Sequence, residues 1–153
     1  MGETTITASA IISFAQRLED NSAAFYQRLA ALFTEQAELF QAFAGEGSKN
    51  KKVILRTYQE TISDALEAGF AFEGMCLGDY EVEAEVPQGT SYAEALALAI
   101  ELEEKAGKFY LDVAERSRSL LATIPMAFKR VAKKRNKRKD KLQALLAGEQ
   151  LSS

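Results

Sequence analysis

Apolar residues recur every three or four positions along four long stretches of this 153-residue chain. That spacing places them on one face of an α-helix and is typical of amphipathic helices around a shared core. We therefore expect an all-α protein, a four-helix bundle whose single domain covers residues 1–153. The predicted helices span about residues 8–33, 35–68, 92–118 and 125–147.

Local signals indicate where several of these helices begin and end. Ser91 and Glu94 form a capping box, Ser-x-x-Glu, at the start of the third helix. Pro125 suits the first turn of the fourth helix, because a proline there removes no helical hydrogen bond. Gly69 is expected to end the second helix and Gly148 the fourth, since glycine is the usual C-terminal cap.

A connection at about residues 69–91 separates the second helix from the third. It is too long for a tight turn between neighbouring helices. Acidic residues alternate with apolar ones from Asp79 to Val86, which is the period of an extended segment with one buried face. We expect this crossover to lie along the bundle in extended form and to join two antiparallel helical hairpins.

An acidic and aromatic pattern, Glu-x5-Phe-Tyr, occurs once in each predicted hairpin. The first copy runs from Glu19 to Tyr26 and the second from Glu103 to Tyr110. Residues seven apart lie on the same face of a helix, so each glutamate shares a face with its tyrosine. Both hairpins also contain an aromatic residue followed four positions later by alanine, at Phe40/Ala44 and Phe128/Ala132.

With these features, the chain resembles the rubrerythrin branch of the ferritin-like family over about residues 8–147. The resemblance implies a bundle in which two helices each give a glutamate, and two each give a Glu-x-x-His pair, to a diiron centre. At the positions of those pairs, this chain has Gly47 and Asn50 in the first hairpin and Arg135 and Arg138 in the second. The sequence contains no histidine at all.

These replacements predict that the metal site is lost, although Glu19 and Glu103 remain. Glycine has no side chain to offer, and arginine stays charged and has no lone pair for a metal. We expect Glu19 and Glu103 to pair with Arg135, Arg138 or both. Hydrogen bonds from Tyr26, Tyr110 and Asn50 are expected to complete this network.

The resulting interpretation is a non-enzymatic structural or interaction module without catalytic residues, metal or cofactor. The first alternative is an iron-dependent oxidoreductase or iron-handling protein, with Glu46 or Asp140 recruited as an additional ligand. Two glycines in the second helix, Gly45 and Gly47, mark either a kink or a close approach of another helix.

Composition adds few constraints on location. The formal net charge is -3, and Cys76 is the single cysteine, so no internal disulfide is possible. We find no signal-peptide pattern in the opening apolar stretch and no apolar run of roughly 20 residues. We therefore expect a cytoplasmic protein that does not attach to a membrane.

The fourth helix is unusually basic, with nine Lys and Arg residues between Lys129 and Lys141. We expect acidic residues of the other helices, or of the partner in a homodimer, to neutralise this charge. The second alternative function is binding of anions or nucleic acid through this helix, because such charge density attracts phosphate groups.

Overall fold

The structure, a computed structural model, describes residues 7–61, 75–116 and 123–152. Within these ranges the chain is helical and contains no β-strand, so the predicted all-α class is confirmed. The long helices are α1 (Ala8–Leu32), α2 (Ala37–Thr61), α3 (Tyr92–Arg116) and α4 (Thr123–Ser152). The predicted ends of the second helix near residue 68, with its Gly69 cap, and of the third near residue 118 lie outside the described residues.

Several helix ends are set directly by local sequence. The Thr7 side chain accepts a hydrogen bond from the Ala10 backbone N–H at 3.1 Å and caps α1. The Ser91 N–H donates to the Glu94 carboxylate at 2.9 Å, and the Glu94 N–H donates to the Ser91 hydroxyl at 3.1 Å. The predicted capping box of α3 is therefore confirmed. A short 3-10 turn, Thr34–Gln36, joins α1 to α2.

The end of α4 differs from the prediction. Pro125 lies in its first turn as expected, since the helix begins at Thr123. The prediction that Gly148 ends the helix is wrong, because α4 continues to Ser152. A glycine ends a helix by taking a positive φ, and among the described residues only Gly89 does so. At a helical position, glycine costs only about 1 kcal/mol relative to alanine.

The described part of the crossover begins at Met75 and is only partly extended. A 3-10 turn, Leu77–Tyr80, precedes a segment without regular secondary structure, so the extended prediction was wrong for Asp79 and Tyr80. The predicted alternation is confirmed after that point, where the acidic residues are exposed and Val82 is buried. The segment therefore lies on the bundle with its apolar side inward.

Side-chain hydrogen bonds attach the crossover to two helices. The Tyr80 hydroxyl donates to the Asp112 carboxylate of α3 at 2.6 Å. From α1, the Asn21 side chain donates to the Val82 carbonyl at 3.2 Å. Because these bonds lie on either side of the segment, they hold it over the groove between α1 and α3.

The contacts between α1 and α2 show that the two helices run antiparallel. The Tyr26 ring lies 5.3 Å from the ring of Phe43, near the α1–α2 turn. Seven residues further along α2, Asn50 contacts Glu19, which lies seven residues earlier in α1. The first predicted hairpin therefore forms, with Tyr26 facing Phe43 and Glu19 facing Asn50.

The contacts between α3 and α4 have the same form. Tyr110 packs near Phe128 with ring centroids 5.7 Å apart, and Glu103 contacts Arg135. Moving back seven residues along α3 thus corresponds to moving forward seven along α4. The two helices are antiparallel, which brings Glu19 and Glu103 to the same level of the bundle.

The two glycines of α2 have different surroundings. A β-carbon at Gly47 would lie 3.2 Å from the Glu19 carbonyl oxygen and 3.5 Å from the Ala23 side chain. At Gly45 it would meet nothing within 4 Å. Gly47 therefore marks a close approach between α2 and α1, which decides between the two interpretations of that residue.

This difference predicts opposite effects of one substitution at the two sites. Gly45→Ala should stabilise the protein by about 0.5–1 kcal/mol, because alanine is the better helix former and has space. In Gly47→Ala the added methyl group would press against the Glu19 carbonyl, which offsets the gain in helix propensity. The free energy of unfolding of Gly47→Ala should therefore be lower than that of Gly45→Ala. Urea denaturation of the two variants checks this, and equal stabilisation would contradict the close approach.

Candidate functional site, a buried glutamate and arginine network

Charged side chains meet in the centre of the bundle, among its aromatic and aliphatic core residues. Glu19 and Glu103 are 0% and 1% exposed, and Arg135 and Arg138 are 1% and 4% exposed. Burial of charge is costly unless each charge is paired and hydrogen-bonded. The buried polar set in the described chain comprises Glu19, Ser22, Asn50, Glu103, Arg135 and Arg138.

Arg135 links the two glutamates. Its Nη1 donates to both carboxylate oxygens of Glu103, at 3.0 and 2.9 Å, and its Nη2 donates to Glu19 Oε1 at 2.7 Å. Nη1 also donates to the Ser22 hydroxyl at 2.9 Å. The Arg135 guanidinium therefore lies between the two acids and donates hydrogen bonds to three side chains in all, those of Glu19, Glu103 and Ser22.

Arg138 binds at the edge of the same cluster. Its Nη1 donates to Glu103 Oε2 at 3.3 Å, and its Nη2 donates to Glu46 Oε2 at 3.0 Å. The guanidinium carbon lies 4.8 Å from the centroid of the Phe43 ring and 5.5 Å from that of Tyr26. Cation–π attraction to these rings adds to the ion pairs.

Each of the two tyrosines donates a hydrogen bond to the glutamate of the other hairpin. The Tyr26 hydroxyl of α1 donates to Glu103 of α3, and the Tyr110 hydroxyl of α3 donates to Glu19 of α1, both at 2.5 Å. Burial, and next the neighbouring carboxylate, raise the pKa of each tyrosine well above its usual value. Both hydroxyls therefore stay protonated and act as donors.

The surroundings of Arg135 also keep its guanidinium protonated. Burial alone would lower the pKa of this guanidinium, but the Glu103 and Glu19 carboxylates outweigh that effect and hold it well above the ordinary value. Two buried arginines face two buried glutamates, while Glu46 remains 38% exposed. The buried part of the network is consequently neutral as a whole.

Gly47 makes room for this arrangement. A β-carbon there would lie 3.7 Å from Glu19 Oε1, the oxygen that also binds Arg135 and Asn50. A larger side chain at this position would compete with them for the space beside the carboxylate. The small residue on α2 and the long one on α4 therefore fit together.

The predicted pairing is confirmed, and both arginines, not one alone, bind glutamate. Three additional interactions were not predicted from the sequence. Ser22 hydrogen-bonds Arg135, Glu46 pairs with Arg138, and Asp112 holds Tyr80. Only Ser22 had a sequence signal, because it lies three residues after Glu19 on the same helix face.

The residues present do not fit a diiron centre. All four oxygens of Glu19 and Glu103 accept hydrogen bonds from arginine, tyrosine or asparagine donors. A cation at about 4 Å from a guanidinium is repelled by about 4 kcal/mol per unit charge at an effective dielectric near 20. In the described part of the chain, no three His, Cys, Asp or Glu side chains are grouped as metal ligands.

The other two acids considered as extra ligands are also unsuitable. The guanidinium of Arg138 lies between Glu46 and Glu103 and binds both. Asp140 is exposed on α4 and is not part of the network. The structure therefore brings Glu46 to the site as an ion-pair partner and leaves Asp140 outside it.

Comparisons of the chain with protein-family models, curated proteins and solved structures found no match. The family resemblance therefore depends on the repeated motif and on the helix order alone. In the described ranges, no helix is both long and apolar enough to span a bilayer. The class defined by fold and site is an all-helical protein with a buried, charge-neutral ion-pair network.

Proposed function

We propose that this protein is a non-enzymatic, metal-independent relative of the rubrerythrin-like bundles, and that it acts as a structural or interaction module. In this proposal the ion-pair network replaces a diiron centre. The observation that carries it is the position of Arg135, whose guanidinium lies between the two acids that would otherwise bind metal.

Two features of the network support a structural role. First, its members come from all four helices, so forming it requires both hairpins to be in register. Second, each buried carboxylate is held by several donors and is inaccessible to solvent, which leaves no free base or nucleophile for a substrate. In this proposal the network favours one packing arrangement over others, although a buried ion-pair network need not add net stability.

Metal content and chelator sensitivity test the proposal. Protein from cells grown with added iron should contain far less than one iron per chain. Its urea midpoint should be the same with and without a chelator, because a ligand that does not bind the folded state cannot stabilise it. About two metal ions per chain, as in diiron bundles, would overturn the proposal.

A designed pair of variants tests whether metal binding returns when ligands replace the two arginines. Arg135→Glu with Arg138→His restores the residue types that the resemblance assigns to these positions, and it should make stability metal-dependent. The matched control, Arg135→Gln with Arg138→Gln, removes the same charges without supplying a carboxylate or an imidazole. It should show no metal dependence. Failure of the Arg135→Glu, Arg138→His variant to respond to iron would count against the kinship with diiron bundles.

Pairing into a homodimer and a cytoplasmic location stay predictions. Sedimentation equilibrium of the purified chain measures the first. Localisation of a tagged protein by microscopy tests the second.

A further inference from the structure

The charge of α4 is far from balanced. This helix carries nine of the 19 Lys and Arg residues of the chain but only two of its 22 acids, Asp140 and Glu149. Arg135 and Arg138 are buried in the network. The other basic side chains of α4 are Lys129, Arg130, Lys133, Lys134, Lys137, Lys139 and Lys141.

None of these seven forms an ion pair with an acid in residues 7–61, 75–116 or 123–152. The expected neutralisation by acids of the other helices therefore does not occur as ion pairs among the described residues, and neutralisation by a homodimer partner stays a prediction. Like charges also lie four residues apart, as at Lys133, Lys137 and Lys141, and such pairs destabilise a helix. Within the described residues this charge has no ion-pair partner, so it can attract a ligand of opposite sign.

Six of the seven share one side of the helix, which we name the basic face. At 3.6 residues per turn they fall within about 140° of arc, and from first to last they cover about 18 Å of helix axis. Five of them are exposed and Lys134 is half-buried. Asp140 is the one acid on this side. The basic face comprises Lys129, Arg130, Lys133, Lys134, Lys137 and Lys141.

A groove lies along one edge of this surface. It has a volume of about 610 Å³ and runs between α3 and α4. Lys129, Lys133 and Lys139 line it from α4, whereas Glu103, Glu104, Lys108 and Asp112 line it from α3. The α4 side of the groove is therefore basic and its α3 side largely acidic, so the proposal below depends on the basic face and not on the groove.

We propose that the basic face binds the phosphodiester backbone of duplex nucleic acid without sequence preference. A duplex carries one negative charge per about 1.7 Å of axis with both strands counted, so a stretch as long as the basic face, about 18 Å, carries roughly ten phosphates, of which one side can contact about half. Five of the six residues are lysines, flexible point charges suited to phosphate contacts and not to reading a base edge with paired donors. This inference is independent of the metal question, because the network uses only the inward arginines.

Other partners fit less well. Single-stranded nucleic acid is bound by stacking bases on exposed aromatic rings, but the large exposed apolar residues of the described chain are Leu32, Leu55, Leu111 and Met126. A membrane-surface helix places aromatic or leucine side chains opposite its charges to enter the bilayer, whereas the opposite side of α4 is buried in the bundle.

A second copy of the chain is also a weaker candidate. Among the exposed acids, Glu81, Glu85 and Glu101 already have basic partners in their own chain. They lie on the crossover and on α3, so they do not form a straight row that matches the basic face along its length. A duplex, in contrast, carries negative charge continuously along its length.

The test uses the full chain and labelled random-sequence duplexes, one of DNA and one of RNA, in fluorescence anisotropy over a salt series. The logarithm of the affinity should fall with the logarithm of salt with a slope of about -4 to -5. The variant Lys133→Gln, Lys137→Gln, Lys141→Gln should reduce the magnitude of that slope by about 3 and weaken binding at least about tenfold at one salt concentration.

A matched control removes the same amount of charge elsewhere. Arg17→Gln, Arg28→Gln, Lys105→Gln neutralises three exposed basic residues that have acidic partners, and it should leave the slope unchanged. Circular dichroism and urea denaturation should show the α4 variant folded and at least as stable as the parent chain, since like-charge repulsion is relieved.

Three results would overturn the proposal. One is the absence of duplex binding at low salt, and another is an equal effect of the two triple variants. The third is a salt-sensitive dimer, or binding to anionic vesicles, that the α4 variant abolishes in a protein that does not bind duplex. That outcome would assign the basic face to a second copy or to a lipid surface.

Discussion

Replacing Arg135 with methionine is expected to lower the free energy of unfolding by about 3–5 kcal/mol, the usual cost of removing one partner from a buried ion pair. Methionine has a similar length, so packing is largely kept while the donors to Glu19, Ser22 and Glu103 are lost. Arg138 still contacts Glu103 but not Glu19. Since whole domains are stable by about 5–15 kcal/mol, this loss is a large fraction of the total.

Urea denaturation measures this loss, and two further variants show its cause. Arg130→Met changes an exposed arginine on the same helix and should alter stability by less than about 0.5 kcal/mol. The triple variant Arg135→Met, Glu19→Gln, Glu103→Gln removes the stranded charges and should recover most of the loss. A triple variant as unstable as Arg135→Met alone would show that lost packing, and not unpaired charge, is responsible.

The central part of the network could be predicted from sequence because its spacing is regular. Glu19 and Tyr26 lie seven residues apart, as do Glu103 and Tyr110, so each pair must share a helix face. Antiparallel α1 and α3 then bring each tyrosine opposite the glutamate of the other hairpin. Charge indicates only that Arg135, Arg138 or both pair with these acids, since buried carboxylates require a cation or a proton.

The remaining details depend on tertiary geometry that no pattern encodes. Arg138 has a long side chain that can reach solvent or turn inward, and its orientation is set by Glu46 and the Phe43 ring. Gly148 has the right identity to end a helix, but identity alone does not determine whether the residue adopts a positive φ. Basic residues of α4 could be identified from the sequence, whereas the absence of partners in the described chain could not.

Alkaline conditions should destabilise the protein steeply, because two buried tyrosines are held protonated. The pKa values of Tyr26 and Tyr110 are raised in the folded state, by burial first and by Glu103 or Glu19 next. In the unfolded chain they ionise near pH 10. Their contribution to stability is therefore fully present below about pH 10 and is lost as pH rises towards the folded pKa values. Each tyrosine should contribute a loss of about 1.4 kcal/mol per pH unit above about pH 10.

Urea denaturation at a series of pH values measures this slope, and near-ultraviolet absorbance follows tyrosinate formation. Tyr26→Phe with Tyr110→Phe lowers stability at neutral pH, because two hydrogen bonds to carboxylates are lost, but it should flatten the alkaline slope by about 3 kcal/mol per pH unit. Tyr80→Phe is the matched comparison. Burial and Asp112 raise the pKa of Tyr80 to about 12, so its contribution should stop changing above that pH. An alkaline slope that the Tyr26 and Tyr110 substitutions leave unchanged would show that lysine titration controls the transition, and would contradict buried, protonated hydroxyls in the network.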